Sequence, residues 1–513
     1  MESSSIAITL VAAIALSLGA DTFVIPRARS RRCPVAFALH VTSVLFLVCL
    51  TLAITRRPHF AAFVAFALVA LAGAVSNAKY ASLREPFVFT DLSLFSQLFT
   101  HPRLYLPFLS PATIAAIAVG SAVFVAGFFL DTTLPASAAV VGAAGAAACL
   151  ALGYLFAARL RLSLDLHEDQ RHHGFFAVFV AYLLNGMRPA VFRAFARTVA
   201  TGPFAQTKAL QTHPDMIVIQ CESFFDPRAL SDAIDPSLLA HFDQACRESL
   251  EHGRLTVPAW GANTMRSEFA LLTGLPSSRL GYARFYPYAF VRRTCASLAG
   301  WFRHAGYCTV AVHPFFADFF GRDRVFPLLQ FDRFLDVRAF AGAPRSGPYV
   351  SDAAVLDRIV ALLGENRSQP AFIFAMTMEN HGPLHLESVE AGEAGHYHKL
   401  GEDPAWRDLT AYLRHLANAD AMIGRLIAQL RERRRDTILC FYGDHVPALS
   451  HVFERLGNVP AHSKYFIWRN FGGRPARMQG RAVEDLGAAL LHAMEKAGQC
   501  NASVSTVEKI QRP

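Results

Sequence analysis

Thr437-Ile-Leu-Cys-Phe-Tyr-Gly-Asp-His445 runs from strand-forming apolar residues straight into a glycine, a carboxylate and an imidazole. Three other stretches repeat the pattern. Ile217-Val-Ile-Gln is followed by Cys221-Glu222-Ser223, Thr309-Val-Ala-Val by His313-Pro314, and Phe372-Ile-Phe-Ala-Met by Thr377-Met-Glu-Asn-His381-Gly-Pro. Short apolar runs without alternation fit strands buried on both faces. Amphipathic helical stretches separate them, at 298–304, 353–363 and 408–431. Strands alternating with helices imply an α/β domain on a mostly parallel sheet. In such sheets ligands gather at the carboxyl ends of the strands, so the four polar clusters are expected to converge on one site.

The residue types in those clusters point to a metal. Glu222, Asp444 and His445 offer two carboxylates and one imidazole, a set that suits Mn²⁺, Mg²⁺ or Zn²⁺. A hydroxyl beside such an ion is activated as a nucleophile. The segment from Trp260 to Gly274 supplies one: Gly261 permits a sharp turn, and Thr264 sits where a helix over 266–272 begins. A helix N-terminus favours phosphate there, although a threonine at that place can equally be a plain N-cap. Arg266, beside it, either touches the site or is exposed.

Upstream the texture is different. Apolar segments at 6–26, 35–54, 60–75, 112–130 and 136–156 are each near the roughly 20 residues a membrane-spanning helix needs. Residues 175–187 are apolar but too few to span comfortably, and an interfacial helix is expected there. The implied organisation is a transmembrane region over 1–158, a juxtamembrane linker over 159–214 and a catalytic domain over 215–513. Arg27, Arg29, Arg31 and Arg32 crowd the first loop, which the positive-inside rule places in the cytoplasm. With five spans that puts the C-terminal domain in the cytoplasm as well; a sixth span reverses it.

Composition agrees with a membrane protein. Of 513 residues, 53% are hydrophobic and 17% charged, against about 25% charged in a typical soluble domain. The net charge of +9 is spread among acidic residues, without a basic stripe, which argues against nucleic-acid binding. None of the nine cysteines forms a CxxC pair; Cys295 and Cys308 are a possible disulfide in an oxidising compartment.

Taken together, these residues resemble the lipoteichoic acid synthase group of phosphoglycerol transferases, in the alkaline phosphatase and sulfatase superfamily. Cys221-Glu222-Ser223 resembles the metal-binding Glu-Ser after the first strand. Asn263-Thr264, with Ser267-Glu268-Phe269 and Leu272-Thr273-Gly274, resembles the nucleophile segment. Phe320-Gly-Arg322-Asp323, Thr377-Met-Glu-Asn-His381 and Tyr442-Gly-Asp444-His445 resemble three further family motifs. The resemblance implies an N-terminal transmembrane bundle of about five spans followed by a sulfatase-like α/β domain. It implies one metal ion, Mn²⁺ first, held by Glu222, Thr264, Asp444 and His445. Thr264 would attack the phosphorus of a membrane phospholipid and form a phospho-threonine. Arg322 would hold phosphate oxygens, His381 would steady the phosphoryl group or protonate the leaving oxygen, and His313 would assist in substrate binding. A surface glycan or polymer would then accept the group. The protein would lie in the inner (cell) membrane as a multi-pass chain, its catalytic domain facing the periplasm or exterior. That side comes from the resemblance and conflicts with the charge count.

A phosphoethanolamine transferase shares these features and differs in its donor; His385 and His462 would then complete a fuller metal site. A sulfatase needs a Cys or Ser oxidised to an aldehyde within a Cys/Ser-x-Pro-x-Arg motif, and Thr264-Met-Arg-Ser offers neither that residue nor the proline. An inert membrane scaffold of polysaccharide biosynthesis would lack the metal set. A transporter would carry more charge within its spans.

Overall fold

The computed structural model describes residues 2–29, 32–94, 111–208, 210–473 and 475–494. Arg31, Cys500 and the end of the expected catalytic domain lie outside them. The chain divides into two compact units, Met1–Arg193 and Ala194–Pro513.

Among the described residues of the first unit, four helices are long and apolar enough to cross a membrane: Ser4–Thr22, Pro34–Thr55, Pro58–Leu83 and Ser137–Arg159. The expected segment at 112–130 forms the helix Pro111–Leu130. Residues Phe175–Gly186 are helical and meet a second helix, Pro189–Ala200, at a bend of 69°. That pair counts as at most one further span. Glycine decides how closely two of the helices approach. A Cβ on Gly142 would stand 2.7 Å from the Ala53 nitrogen and 2.8 Å from the Cys49 oxygen. Small residues let apolar helices meet backbone to backbone. Arg32, one of the loop cations, is spent on buried Asp21 at 2.7 Å.

The second unit is built on one sheet. Its strands in chain order are β1 (Asp215–Cys221), β2 (Glu251–Thr256), β3 (Cys308–Val312), β4 (Arg333–Leu335), β7 (Ala371–Met376), β8 (Thr437–Gly443), β9 (Ser463–Arg469), β10 (Arg477–Met478) and β11 (Arg481–Ala482). A separate hairpin pairs β5 (Arg345–Ser346) with β6 (Tyr349–Val350). The spatial order is β10-β2-β9-β8-β1-β7-β3-β4, with β11 also on β2. Strands β8, β1, β7, β3 and β4 are parallel; β9 runs antiparallel to both β8 and β2. The central strands are buried at every position, as the unbroken apolar runs require.

One face of the sheet, with Ile217, Ile219, Ile373 and Phe441, packs on helices Arg407–Glu432 and Asp352–Gly364. On the other, Phe372 stacks on Phe302 with centroids 4.5 Å apart. The amino end of β1 is pinned electrostatically. Asp215 accepts from Arg367 at 2.9 Å, Arg433 at 2.8 Å and the Ala371 nitrogen at 2.8 Å. Cys295 and Cys308 are free thiols.

Candidate functional site

The register of the sheet brings the first and last clusters together. Cys221 is level with Gly443 across β1 and β8, so Glu222 and Asp444-His445 leave adjacent strands side by side. Close approach at this point requires glycine. A Cβ on Gly443 would lie 2.0 Å from the Phe224 oxygen and 2.2 Å from Ser463 Oγ. Ser223 adopts φ 53°, a left-handed conformation costly for a residue with a side chain. It is tied down at both ends: its nitrogen donates to Asp444 Oδ1 at 2.8 Å and its Oγ to Glu222 Oε1 at 2.9 Å.

Thr264 joins these residues from the next segment. Gly261 (φ 69°) and Asn263 (φ 67°) turn the chain, and the helix starts at Thr264 itself, with Asn263 as its N-cap. Thr264 is therefore not the cap. Its Oγ1 lies 3.3 Å from His445 Nε2 and 3.5 Å from Glu222 Oε2. Ser267 Oγ, one turn on, donates to the Asp444 carbonyl at 2.6 Å and locks the helix onto the loop after β8.

Glu222, Asp444 and His445 bring ligand atoms within 4.8 Å of one another, all buried. Among the described residues no other group of His, Cys, Asp or Glu meets that condition. Burial, then the charge of Glu222, push the Asp444 carboxyl above its ordinary range. Burial opposes the His445 cation, but Asp444 and Glu222 raise its pKa on balance. Asp444 Oδ2 is buried without a hydrogen-bond partner. Two crowded carboxylates, an imidazole and an orphaned oxygen are the donor set of a divalent cation, and the residues present fit one. His385 and His462 are exposed and stand outside the cluster.

Arg322 is 1% exposed, and its charge is committed. Its Nη2 donates to Glu268 Oε2 at 2.8 Å and its Nε to Oε1 at 3.1 Å, a bidentate pair. Tyr288 also donates to Glu268 Oε1. Arg322 Nη1 is 3.3 Å from His313 Nε2. Burial, then the charges of Arg322 and His381, hold His313 well below the usual imidazole range, so it is neutral. His381 follows β7, and Thr377 Oγ1 in the same loop accepts from the Glu222 nitrogen at 3.1 Å. Arg266 is buried rather than exposed, its Nε donating to the Phe285 carbonyl at 2.8 Å.

The four strand-end clusters thus end at one edge of the sheet. What sequence reasoning did not find is their support: Tyr288 behind Glu268, and Tyr349 on the β5–β6 hairpin, whose Oη is 3.3 Å from His381 Nδ1. Neither carries a motif, because each meets its partner only across the fold.

The integral membrane phosphoethanolamine transferase A of Neisseria meningitidis aligns with 94% of this chain and 95% of its own, at TM-score 0.55 and 12% identity. The phosphoglycerol transferase GacH of Streptococcus pyogenes, solved with sn-glycerol-1-phosphate, aligns over 59% and 80%, at TM-score 0.47 and 23% identity. The fold is shared with that integral membrane transferase over nearly the whole of both chains. Among curated proteins, a cyclic beta-1,2-glucan modification protein of Rhizobium meliloti (strain 1021) is 32% identical over 57% of this chain. That match spans only 45% of the relative's length. The capsular polysaccharide biosynthesis protein RkpI of the same organism is 28% identical over 86% of this chain and 84% of its own. Residues 214–496, more than half of the chain and every segment that builds the site, match the sulfatase family, and the chain belongs to it.

Proposed function

We propose that the chain is a membrane-bound, metal-dependent phosphotransferase that moves a phosphoglycerol group from a phospholipid to a cell-surface glycan. The observation that carries this reading is Thr264 Oγ1, at a helix N-terminus and 3.3 Å from His445 Nε2 within the Glu222–Asp444–His445 cluster. The two rhizobial relatives, named for glucan modification and capsular polysaccharide biosynthesis, support a glycan acceptor.

Glu222, Asp444 and His445, with Thr264, would hold the metal, for which Mn²⁺ is the ion of choice. Bound there, a divalent ion supplies positive charge that favours the threonine alkoxide and the phosphoryl oxygens. Thr264 Oγ1 attacks phosphorus, and the bond from phosphorus to the diacylglycerol oxygen breaks. The hydroxyl proton has Glu222 Oε2 as an acceptor at 3.5 Å. His381 gives a proton to the departing oxygen, and Arg322, through the Nη1 that Glu268 does not take, would hold the phosphoryl oxygens with His313 beside it. An acceptor hydroxyl then attacks the phospho-threonine and restores Thr264. In this reading the catalytic domain faces away from the cytoplasm.

The test is intact-mass spectrometry of the full chain incubated with Mn²⁺ and phosphatidylglycerol, beside Thr264→Ala. A glycerophosphate adduct that maps to Thr264 and is missing from the variant is the expected result. An adduct formed only from phosphatidylethanolamine would move the donor to the phosphoethanolamine class, a reading favoured by the fold shared over nearly the whole chain. Turnover undiminished in Thr264→Ala would sink the covalent route.

A further inference from the structure

The imidazole of His381 is held by more than its own loop. Its Nδ1 lies 2.7 Å from the carbonyl oxygen of Gly382, the next residue. Tyr349 Oη donates to that same oxygen at 2.9 Å. The two rings meet edge to face with centroids 5.5 Å apart. One carbonyl thus accepts from both the phenol and the imidazole. Burial, then the charges of Glu222 and Glu387, push the Tyr349 phenol far above its usual range, so it remains a donor.

The hairpin that carries Tyr349 is anchored in turn. Ser346, its register partner, places Oγ 3.3 Å from His415 Nδ1. His415 is fully buried between Glu379 Oε1 at 3.0 Å and Glu387 Oε2 at 2.8 Å. Burial opposes its charge, but the hydrogen bonds to Glu379 and Glu387 raise its pKa to about 9. Arg414 reinforces Glu387 at 2.7 Å, and Asn418 reinforces Glu379 at 2.6 Å. Gly347 completes the seat: a Cβ there would meet the Glu387 carboxylate at 2.9 Å. Glu379 and Glu387 bracket His381 in sequence, so one buried cation fixes both ends of its loop and the hairpin opposite.

We infer that Tyr349 is a positioning residue for His381. By sharing the Gly382 carbonyl it fixes the imidazole rotation, with Nδ1–H as the inward donor and Nε2 left for the substrate. Without the phenol, the Gly382 peptide is free to turn and the ring loses its acceptor. The consequence for turnover rests on the proton-donor reading of His381 above; the consequence for the ring does not.

The experiment compares wild type with Tyr349→Phe as full chains in detergent with Mn²⁺. The first readout is the rate at which diethyl pyrocarbonate modifies His381 at pH 7, followed by peptide mass spectrometry. The second is kcat and KM for lipid turnover. The phenylalanine keeps the aromatic packing, so the melting temperature should hold. Expected are a several-fold faster modification of His381 and a kcat lower by about tenfold with little change in KM. Equal modification rates in the two proteins would overturn the inference. If Tyr349→Phe does not fold, Ser346→Ala keeps the ring and cuts the hairpin's tie to His415. It must speed His381 modification in the same direction, and an unchanged rate there overturns the inference as well. Thr264→Ala separates the two proposals. Full turnover in that variant would overturn the catalytic reading, while His381 reactivity still judges Tyr349.

Discussion

Arg322 and Asp352 show two solutions to burying charge in one domain. Arg322 meets Glu268 in a bidentate pair, with Tyr288 completing the carboxylate's bonds. Removing one member of such a pair strands the other, so the pair is as much a constraint as a support. Asp352 is 1% exposed, and neither of its carboxyl oxygens has a hydrogen-bond partner. Burial, then the nearby charge of Glu379, hold its pKa well above the ordinary carboxyl value. The folded chain therefore retains a proton that the unfolded chain releases near pH 4. Stability from this residue is fully present below that pH and is lost as pH rises toward the folded pKa, by up to about 1.4 kcal/mol per unit. Asp352→Asn, neutral at every pH, removes that slope. Its melting temperature should gain on wild type between pH 5 and pH 8. A constant difference across that range would show that Asp352 is ionised in the folded state.

At the level of the element, the loops after β1 and β8 work only because their strands are in register and Gly443 admits the Phe224 carbonyl. Gly443→Ala forces backbone apart rather than a flexible side chain. It should cost about 3 kcal/mol or more in denaturant unfolding and abolish the rise in melting temperature with Mn²⁺ that the proposed metal site predicts for the wild type. A normal Mn²⁺-induced rise in the variant would mean that the cluster tolerates the displacement. The same elements show what could be read beforehand. Strands β1, β7 and β8 were legible because parallel strands buried on both faces leave unbroken apolar runs, each ending on a polar cluster. Strand β2, Glu-His-Gly-Arg-Leu-Thr, carries no such run, because it lies toward the sheet's edge with one buried position. Its antiparallel pairing with β9 is a long-range contact with no local signature. Ser346 and Tyr349 belong to a hairpin of two-residue strands, too short for periodicity to show. His415 sits in an ordinary amphipathic helix, where only the fold reveals the two glutamates beside it.

For the molecule as a whole, the four long apolar helices among the described residues predict integral rather than peripheral attachment. Washing membranes at alkaline pH should leave the full chain in the pellet, with release only by detergent. Release by carbonate alone would mean that the helices do not span. The helical region was legible because bilayer thickness sets a length that composition can be measured against. The bend between Phe175–Gly186 and Pro189–Ala200 was not legible, since apolar content alone does not record a change of direction. Strand order carries a last consequence. Strand β1 lies between β7 and β8, both made much later, and the cluster needs Glu222 beside Asp444 and His445. A nascent chain that has reached only β7 holds its threonine and its first glutamate, yet has no site. Synthesis itself thus delays the cluster: it can assemble only when β8 slots in beside β1, after the apolar helices have already been made.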